Sequence, residues 1–211
     1  MVVVGGSCGA EKINDSMLGL LHDREIPFQI LWATGEKYFD DVADRMHRTA
    51  RTDSGNDGNK DIRGIADKEG KVIREKGGRV RIVDYIVHMN EILSVADLIV
   101  CRAGSMTVGE IREFRVPAIL IPFAQAAGNH QYFNALELEK AGCAVIRKEA
   151  ELSGESLYDE ICGLLSDQER LKRMRSGYDK ISISNSNQKI FESIRKEMGP
   201  PAEAAERRSQ C

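Results

Sequence analysis

Short aliphatic runs alternate with segments of helical periodicity along most of this chain. The opening MVVVGGSCGA sets a β-branched run directly before a glycine-rich turn, after which Ile13, Met17, Leu20 and Leu21 recur at helical spacing. That reads as strand, loop, helix. The alternation continues through PFQILWATG at 27–35, then RIVDYI, ADLIVC, VPAILIP and CAVI, separated by segments able to form helices. Such a series predicts a parallel sheet. Runs as continuously apolar as Ala118 to Ile121 are expected when helices cover both faces, because neither side of the strand then meets water. The predicted fold class is α/β, with a doubly wound, mostly parallel, Rossmann-like sheet.

Two stretches break the pattern. Residues 45–79, which include RTARTDSGNDGNKDIRG and KEGKVIREKGG, are dense in charge and glycine and short of large apolar groups, which predicts a charged, flexible insertion. Its DSGNDG segment looks like a calcium loop, but Gly55 occupies a ligand position and Gly64 stands where a bidentate glutamate should close the loop. Calcium is rejected on that ground. A last helix is expected over roughly 187–198, with 199–211 a frayed tail. One domain over 1–198 accounts for the rest.

Composition narrows the function classes. Hydrophobic residues are 42% and charged residues 30% of the 211, as in ordinary globular proteins. A net charge of -3 and a pI near 5.9 argue against nucleic acid as the main partner. The cysteines, Cys8, Cys101, Cys143, Cys162 and Cys211, show neither a CxxC pair nor zinc spacing and read as reduced thiols. With no signal peptide and no long apolar run, the expected location is the cytoplasm, attachment to a membrane surface remaining open.

Three turns could carry chemistry. GGSCGA, with Gly6 and Ser7, can cradle a phosphate: glycines let the backbone approach an anion and the following helix offers unpaired N–H groups, although the same glycines also suit a plain tight turn. In CRAGSMTVGE, Ala103, Gly104 and Ser105 lead into a helix expected to begin near Met106 or Thr107. Both turns lie at the carboxyl ends of strands, where open α/β sheets bind ligands. Glu110 either faces the crevice to accept hydroxyl hydrogens or completes a capping box with Thr107, three residues earlier. FAQAAGNHQYFNA at 123–135 groups Gln125, Asn129, His130, Gln131 and Asn134 at a helix start near Asn129, material for sugar hydroxyls or for capping. His22 and His47 are expected to be solvated, and His88 to cap the helix it precedes.

Taken in order, GGSCGA, CRAGSMTVGE and VPAILIPFAQAAGNHQYFNA resemble the carboxyl-terminal half of the MurG family, with support from LWATG, DYIVHM, ADLIVCRAG and EKAGCAVI. The resemblance runs from Val2 to about Glu197 outside 45–79. It implies a two-domain, B-type glycosyltransferase at the cytoplasmic face of the membrane that moves N-acetylglucosamine from UDP-GlcNAc to lipid-linked muramyl-pentapeptide with inversion, in peptidoglycan precursor synthesis. The carboxyl-terminal domain would bind UDP-GlcNAc; the amino-terminal domain would carry the acceptor site and the membrane-facing patch. By position, the resemblance puts Ser7 and the 104–107 turn at the diphosphate and the Ile86 backbone at uracil, with Tyr85 and Met89 packing around the base. It puts Glu110 at the ribose hydroxyls and Gln131 with His130 at the GlcNAc hydroxyls. Arg102 would either assist the leaving diphosphate or serve structure.

The chain departs from the family pattern at Cys8, usually glutamine, at His88, commonly aspartate, and at Arg115, normally a glycine before the VP strand. Met1 falls where the second domain's first strand should begin, so the expectation is a cut domain, a truncated product or one subunit of a split enzyme that binds donor without efficient turnover. No residue stands out as a base. No cofactor is implied, and a metal is not obviously required, since Asp40 and Asp41 are adjacent and not alternating as in the DxD signature. The rival readings are a UDP-GlcNAc 2-epimerase and a non-catalytic nucleotide-sugar-binding or scaffold module.

Overall fold

The computed structural model describes residues 1–6, 9–53, 71–181 and 192–197. Seven strands form one sheet: β1 (Val2–Val4), β2 (Ile30–Ala33), β3 (Val72–Glu75), β4 (Val80–Val83), β5 (Ile99–Cys101), β6 (Ala118–Leu120) and β7 (Ala144–Ile146). Their order is β3-β4-β2-β1-β5-β6-β7. Every pairing is parallel except β3 with β4.

The helices are α1 (Glu11–Asp23), α2 (Glu36–Asp53), α3 (Met89–Val95), α4 (Ser105–Phe114), α5 (His130–Ala141), α6 (Gly154–Ser166) and α7 (Gln168–Gly177). α1 packs on α2 and α6, and α6 on α7, while α3 packs on α4 and α4 on α5. One core cluster holds Val3, Trp32, Ile82, Val100 and Ile119, and the described helices that contribute buried residues to it are α1, α2, α6 and α7. Strand side chains alternate between faces, and the intervening Ile99, Cys101, Ala118 and Leu120 are just as deeply buried. Both faces of the central strands are therefore covered, which is why those strands read as unbroken apolar runs. The doubly wound expectation holds.

The expected excursion at 45–79 is corrected at both ends. Its first part continues α2 through Asp53, held by Arg45, which pairs with Asp15 at 2.8 Å and Asp41 at 3.2 Å. Its last part forms β3, whose Val72 and Ile73 are buried, and then a 3-10 turn at Lys76–Gly78. β3 is antiparallel and bonds only β4, so its short, charge-rich sequence lacks the long apolar run of a central strand. Residues 54–70, with Gly55 and Gly64, lie outside the described residues, as does 198–211. Residues 1–180 form one compact unit; within the second unit, 181–211, residues 192–197 are helical, part of the helix expected over 187–198. No helix among the described residues is long and apolar enough to cross a membrane.

Asn14 fastens α1 to β2. It is buried, its Nδ2 donating to the Thr34 carbonyl at 3.0 Å and its Oδ1 accepting from Trp32 Nε1 at 3.1 Å. A buried indole N–H needs such a partner. The backbone at Arg115 accounts for the glycine usual there: it ends α4 in the left-handed conformation, φ 54° and ψ 41°, with its N–H bonded back to Arg112 and Ile111 carbonyls. Gly142 ends α5 in the same way at φ 82°. That geometry costs a side-chain-bearing residue but not glycine.

Asn14→Ala should lower unfolding free energy by roughly 2–4 kcal/mol, because it strands a buried donor and a buried carbonyl together. Arg115→Gly should raise it by about 0.5 kcal/mol, relief of the left-handed backbone outweighing loss of an exposed ion pair to Asp179. Urea midpoints at constant slope measure both.

Candidate functional site

β1 lies between β2 and β5, so the direction of winding reverses between β1 and β5, and Val4 sits in register with Cys101. The chain leaves these adjacent strands as Gly5–Gly6 and as Arg102–Gly104, side by side at the switch point where such sheets bind ligands. Ser7 and Cys8 lie outside the described residues. The first turn is closed by Gly9 N–H donating to the Gly6 carbonyl at 3.0 Å. A Cβ on Gly5 would lie 2.3 Å from Ala10 N, and one on Gly9 2.3 Å from the Thr34 oxygen at φ +74°. These glycines thus serve close packing. Gly6, at φ +88°, has open space around it and is exposed.

α1, α4 and α5 begin at Ala10, Gly104 and Asn129, none of which makes a side-chain cap. α6 and α7, in contrast, are capped by Ser153, which accepts from Ser156 N at 3.1 Å, and Asp167, which accepts from Arg170 N at 2.8 Å. The first-turn amides of α1 and α4 therefore keep their positive character for whatever anion approaches. α4 starts at Ser105, earlier than Met106 or Thr107, and this removes the capping-box alternative: Thr107 is inside the helix. Glu110 is exposed and makes no hydrogen bond or ion pair with any described residue. His88 takes the position before α3, but its ring does not cap it; Nδ1 lies 3.9 Å from Glu91.

The loop from β6 to α5 is bound from several sides. Gln131 Oε1 accepts from Phe123 N–H at 3.0 Å, which leaves its amide nitrogen as a donor with no partner among the described residues. His130 Nδ1 lies 2.7 Å from the Ala127 carbonyl. A carbonyl only accepts, so Nδ1 carries the proton and Nε2 of the neutral ring is an acceptor. Asn134 donates to the Ala103 carbonyl at 3.0 Å, tying α5 to the end of β5. Arg102 is engaged by the protein itself: it donates to the Ile121 carbonyl at 3.0 Å, pairs with Glu149, and lies over the Phe123 ring.

A groove of about 620 Å³ runs along this edge, with Gly5, Lys12, Arg102, Gln125, Gln131 and Glu149 among its walls. Of the side chains expected at the site, it brings Arg102 and Gln131 together with the first glycine turn. Tyr85 and Ile86 line a separate cavity of about 140 Å³ beside His88 and Ile92. Gly6, Met89, Gly104, Ser105, Met106, Thr107, Glu110 and His130 line neither. Ile86 is buried, yet its backbone N–H and C=O bond to no described residue, an edge a planar base could use. Glu149 also lines the groove, although it sits in the charged string RKEAE, where nothing local marks it.

The described cysteines, Cys101, Cys143 and Cys162, are free. Burial, with the Glu110 charge adding to it, holds the Cys101 thiol far above its usual range, and burial pushes Cys143 up to about 11. Neither serves as a nucleophile at neutral pH. Asp40 is paired with Lys71 at 2.7 Å and Asp41 with Arg45 at 3.2 Å.

These features define a Rossmann-like domain of the kind that forms the carboxyl-terminal half of B-type glycosyltransferases. Residues 1–198 match the glycosyltransferase family 28 C-terminal domain, and the chain belongs to that family. It is 36% identical over 197 residues to the UDP-N-acetylglucosamine–N-acetylmuramyl-(pentapeptide) pyrophosphoryl-undecaprenol N-acetylglucosamine transferase of Acetivibrio thermocellus, covering 92% of this chain and 46% of that protein. The enzyme of the same description from Caldanaerobacter subterraneus subsp. tengcongensis is 34% identical over 195 residues, with 92% and 47% covered. The chain spans about half the length of the curated relatives it matches. Among solved structures, Acinetobacter baumannii MurG superposes with a TM-score of 0.70 at 24% identity, over 92% of this chain and 49% of that one. The C-terminal CMP-Kdo binding domain of WaaA from Acinetobacter baumannii shares the fold, with a TM-score of 0.53 at 14% identity, over 85% of this chain and 88% of that one.

Gly9→Ala should cost roughly 1–3 kcal/mol of stability, since the added methyl meets backbone at a left-handed position. Gly6→Ala, with open space around it, should cost roughly 1 kcal/mol. Denaturant midpoints of the two variants test this difference.

Proposed function

We propose that this chain is the donor-binding half of an inverting N-acetylglucosaminyltransferase of peptidoglycan precursor synthesis, holding UDP-GlcNAc at the β1/β5 switch point. The observation that carries the reading is the pairing of Val4 with Cys101 in register, which sets two glycine turns and the uncapped starts of α1 and α4 side by side. A diphosphate between them would meet amides from both helices. Ser7, Gly6 and the Gly104, Ser105, Met106 and Thr107 turn would hold it. The free Ile86 backbone would pair with uracil beside Tyr85 and Met89, and unpartnered Glu110 would accept both ribose hydroxyls. Gln131 Nε2 and His130 Nε2, one donor and one acceptor, suit the sugar hydroxyls, which need both.

Inverting transfer requires a base for the acceptor hydroxyl and stabilisation of departing UDP. The chemistry assigned to this chain is the second: fixed amide dipoles meet the charge that grows on the β-phosphate as the anomeric bond breaks. The base and the lipid-linked acceptor site are assigned to an amino-terminal half, on a longer chain or on a partner subunit, with the complete enzyme peripheral at the inner face of the membrane. The names of the relatives support this reading, as does the share of their length that the chain spans.

Titration calorimetry should show saturable binding of UDP and UDP-GlcNAc, UDP-glucose binding more weakly. Transfer of radiolabel to a lipid acceptor should require addition of the amino-terminal half. Glu110→Ala should weaken UDP about tenfold without moving the melting temperature, as expected for loss of hydrogen bonds to a charged group. Absence of saturable uridine nucleotide binding would instead support a scaffold module.

A further inference from the structure

Glu149 opens the 3-10 turn Glu149–Glu151 after β7 and joins parts of the cleft that are remote in sequence. Its Oε1 accepts from Arg102 Nη2, and its Oε2 accepts from the Ala124 N–H at 3.1 Å. Arg102 in turn donates from Nη1 to the Ile121 carbonyl at 3.0 Å and stacks 5.3 Å from the Phe123 ring centre. The two side chains are 11% and 19% exposed. A pair withdrawn from water this far holds only when its remaining donors and lone pairs are used, and here both carboxylate oxygens and both terminal nitrogens are. The next amide along, Phe123 N–H, is taken by Gln131 Oε1. Consecutive loop amides at 123 and 124 are thus pinned by side chains from α5 and from beyond β7, and the groove passes over Gln125, Gln131 and both members of the pair.

We propose that Glu149 is the positioning residue of this cleft. By holding Ala124 it sets the loop that presents Phe123 N–H to Gln131, and so aims the Gln131 amide nitrogen at the sugar. By pairing Arg102 it keeps the guanidinium on the loop and its charge off the ligand's phosphates. The residue therefore acts on the sugar and not on the uridine, a claim that rests on the donor-site reading above. It also resolves the two roles left open for Arg102, in favour of structure.

Glu149→Gln keeps the shape and one acceptor but removes the charge; Glu149→Ala removes both bonds. Calorimetry on the 211-residue chain with UDP and with UDP-GlcNAc separates the effects. The variants should bind UDP as tightly as the parent or a few-fold tighter, because Arg102 is released, while UDP-GlcNAc loses about tenfold relative to UDP. A Glu149→Asp variant should recover part of that ratio. Amide hydrogen exchange should show protection at Ala124 falling in Glu149→Ala, with that of the β6 amides unchanged. Equal losses for both ligands, an unchanged ratio, or unchanged exchange at Ala124 would each overturn the proposal. If the parent chain binds neither ligand, the donor-site reading fails and the sugar role falls with it; unaltered parent binding with a constant ratio in the variants defeats the Glu149 assignment alone.

Discussion

The arrangement depends on β1 pairing in parallel with β2 on one side and β5 on the other. A three-residue strand can do this only if both its faces and both its edges are occupied, and Val2, Val3 and Val4 are all buried. Because parallel neighbours run in the same direction, their carboxyl ends emerge together. The turns that follow β1, β5 and β6 are gathered along one edge, and the helices after them begin there without side-chain caps on their positive ends. The gathering of these turns along one edge is a consequence of strand direction and winding, before any particular side chain is considered.

Electrostatics at that edge are carried by dipoles more than by net charge. The helix starts at Ala10, Gly104 and Asn129 have no capping side chain, while Ser153 and Asp167 cap the starts of α6 and α7. The cation one would first assign to an anionic ligand, Arg102, is neutralised by Glu149. The fold fixes backbone amides in place, so they need little reorganisation to meet a charge. Gln131 and His130 follow the same logic: each has one polar atom engaged by the loop backbone, and that bond decides which kind of partner the other atom can take.

Much of the fold was legible because apolar strands buried on both faces leave a continuous hydrophobic run, and α1 leaves a helical repeat. β3 was not legible. Its VIRE is an edge strand that needs burial on fewer sides, so charge enters it and it reads as loop. The extension of α2 through Asp53 was hidden for a related reason, since its polar residues are stabilised by ion pairs such as Arg45 with Asp15, which join positions 30 apart in sequence. His88 holds the position before α3 without making the cap bond, and of the two alternatives at Glu110 the capping box fails because Thr107 lies inside α4.

The amino-acid sequence by itself determined the class of sheet, the family, and the glycine turns that mark the edge, because each is written in local periodicity or in contiguous motifs. Only the tertiary structure decided which of those residues share a groove, that Tyr85 and Ile86 line a different cavity from Gln131, and that Glu149 lines the same groove as Gln131. The physical reason is distance along the chain. Arg102 and Glu149 are 47 residues apart, and nothing in either neighbourhood encodes a contact made only when β5, β6 and β7 lie side by side.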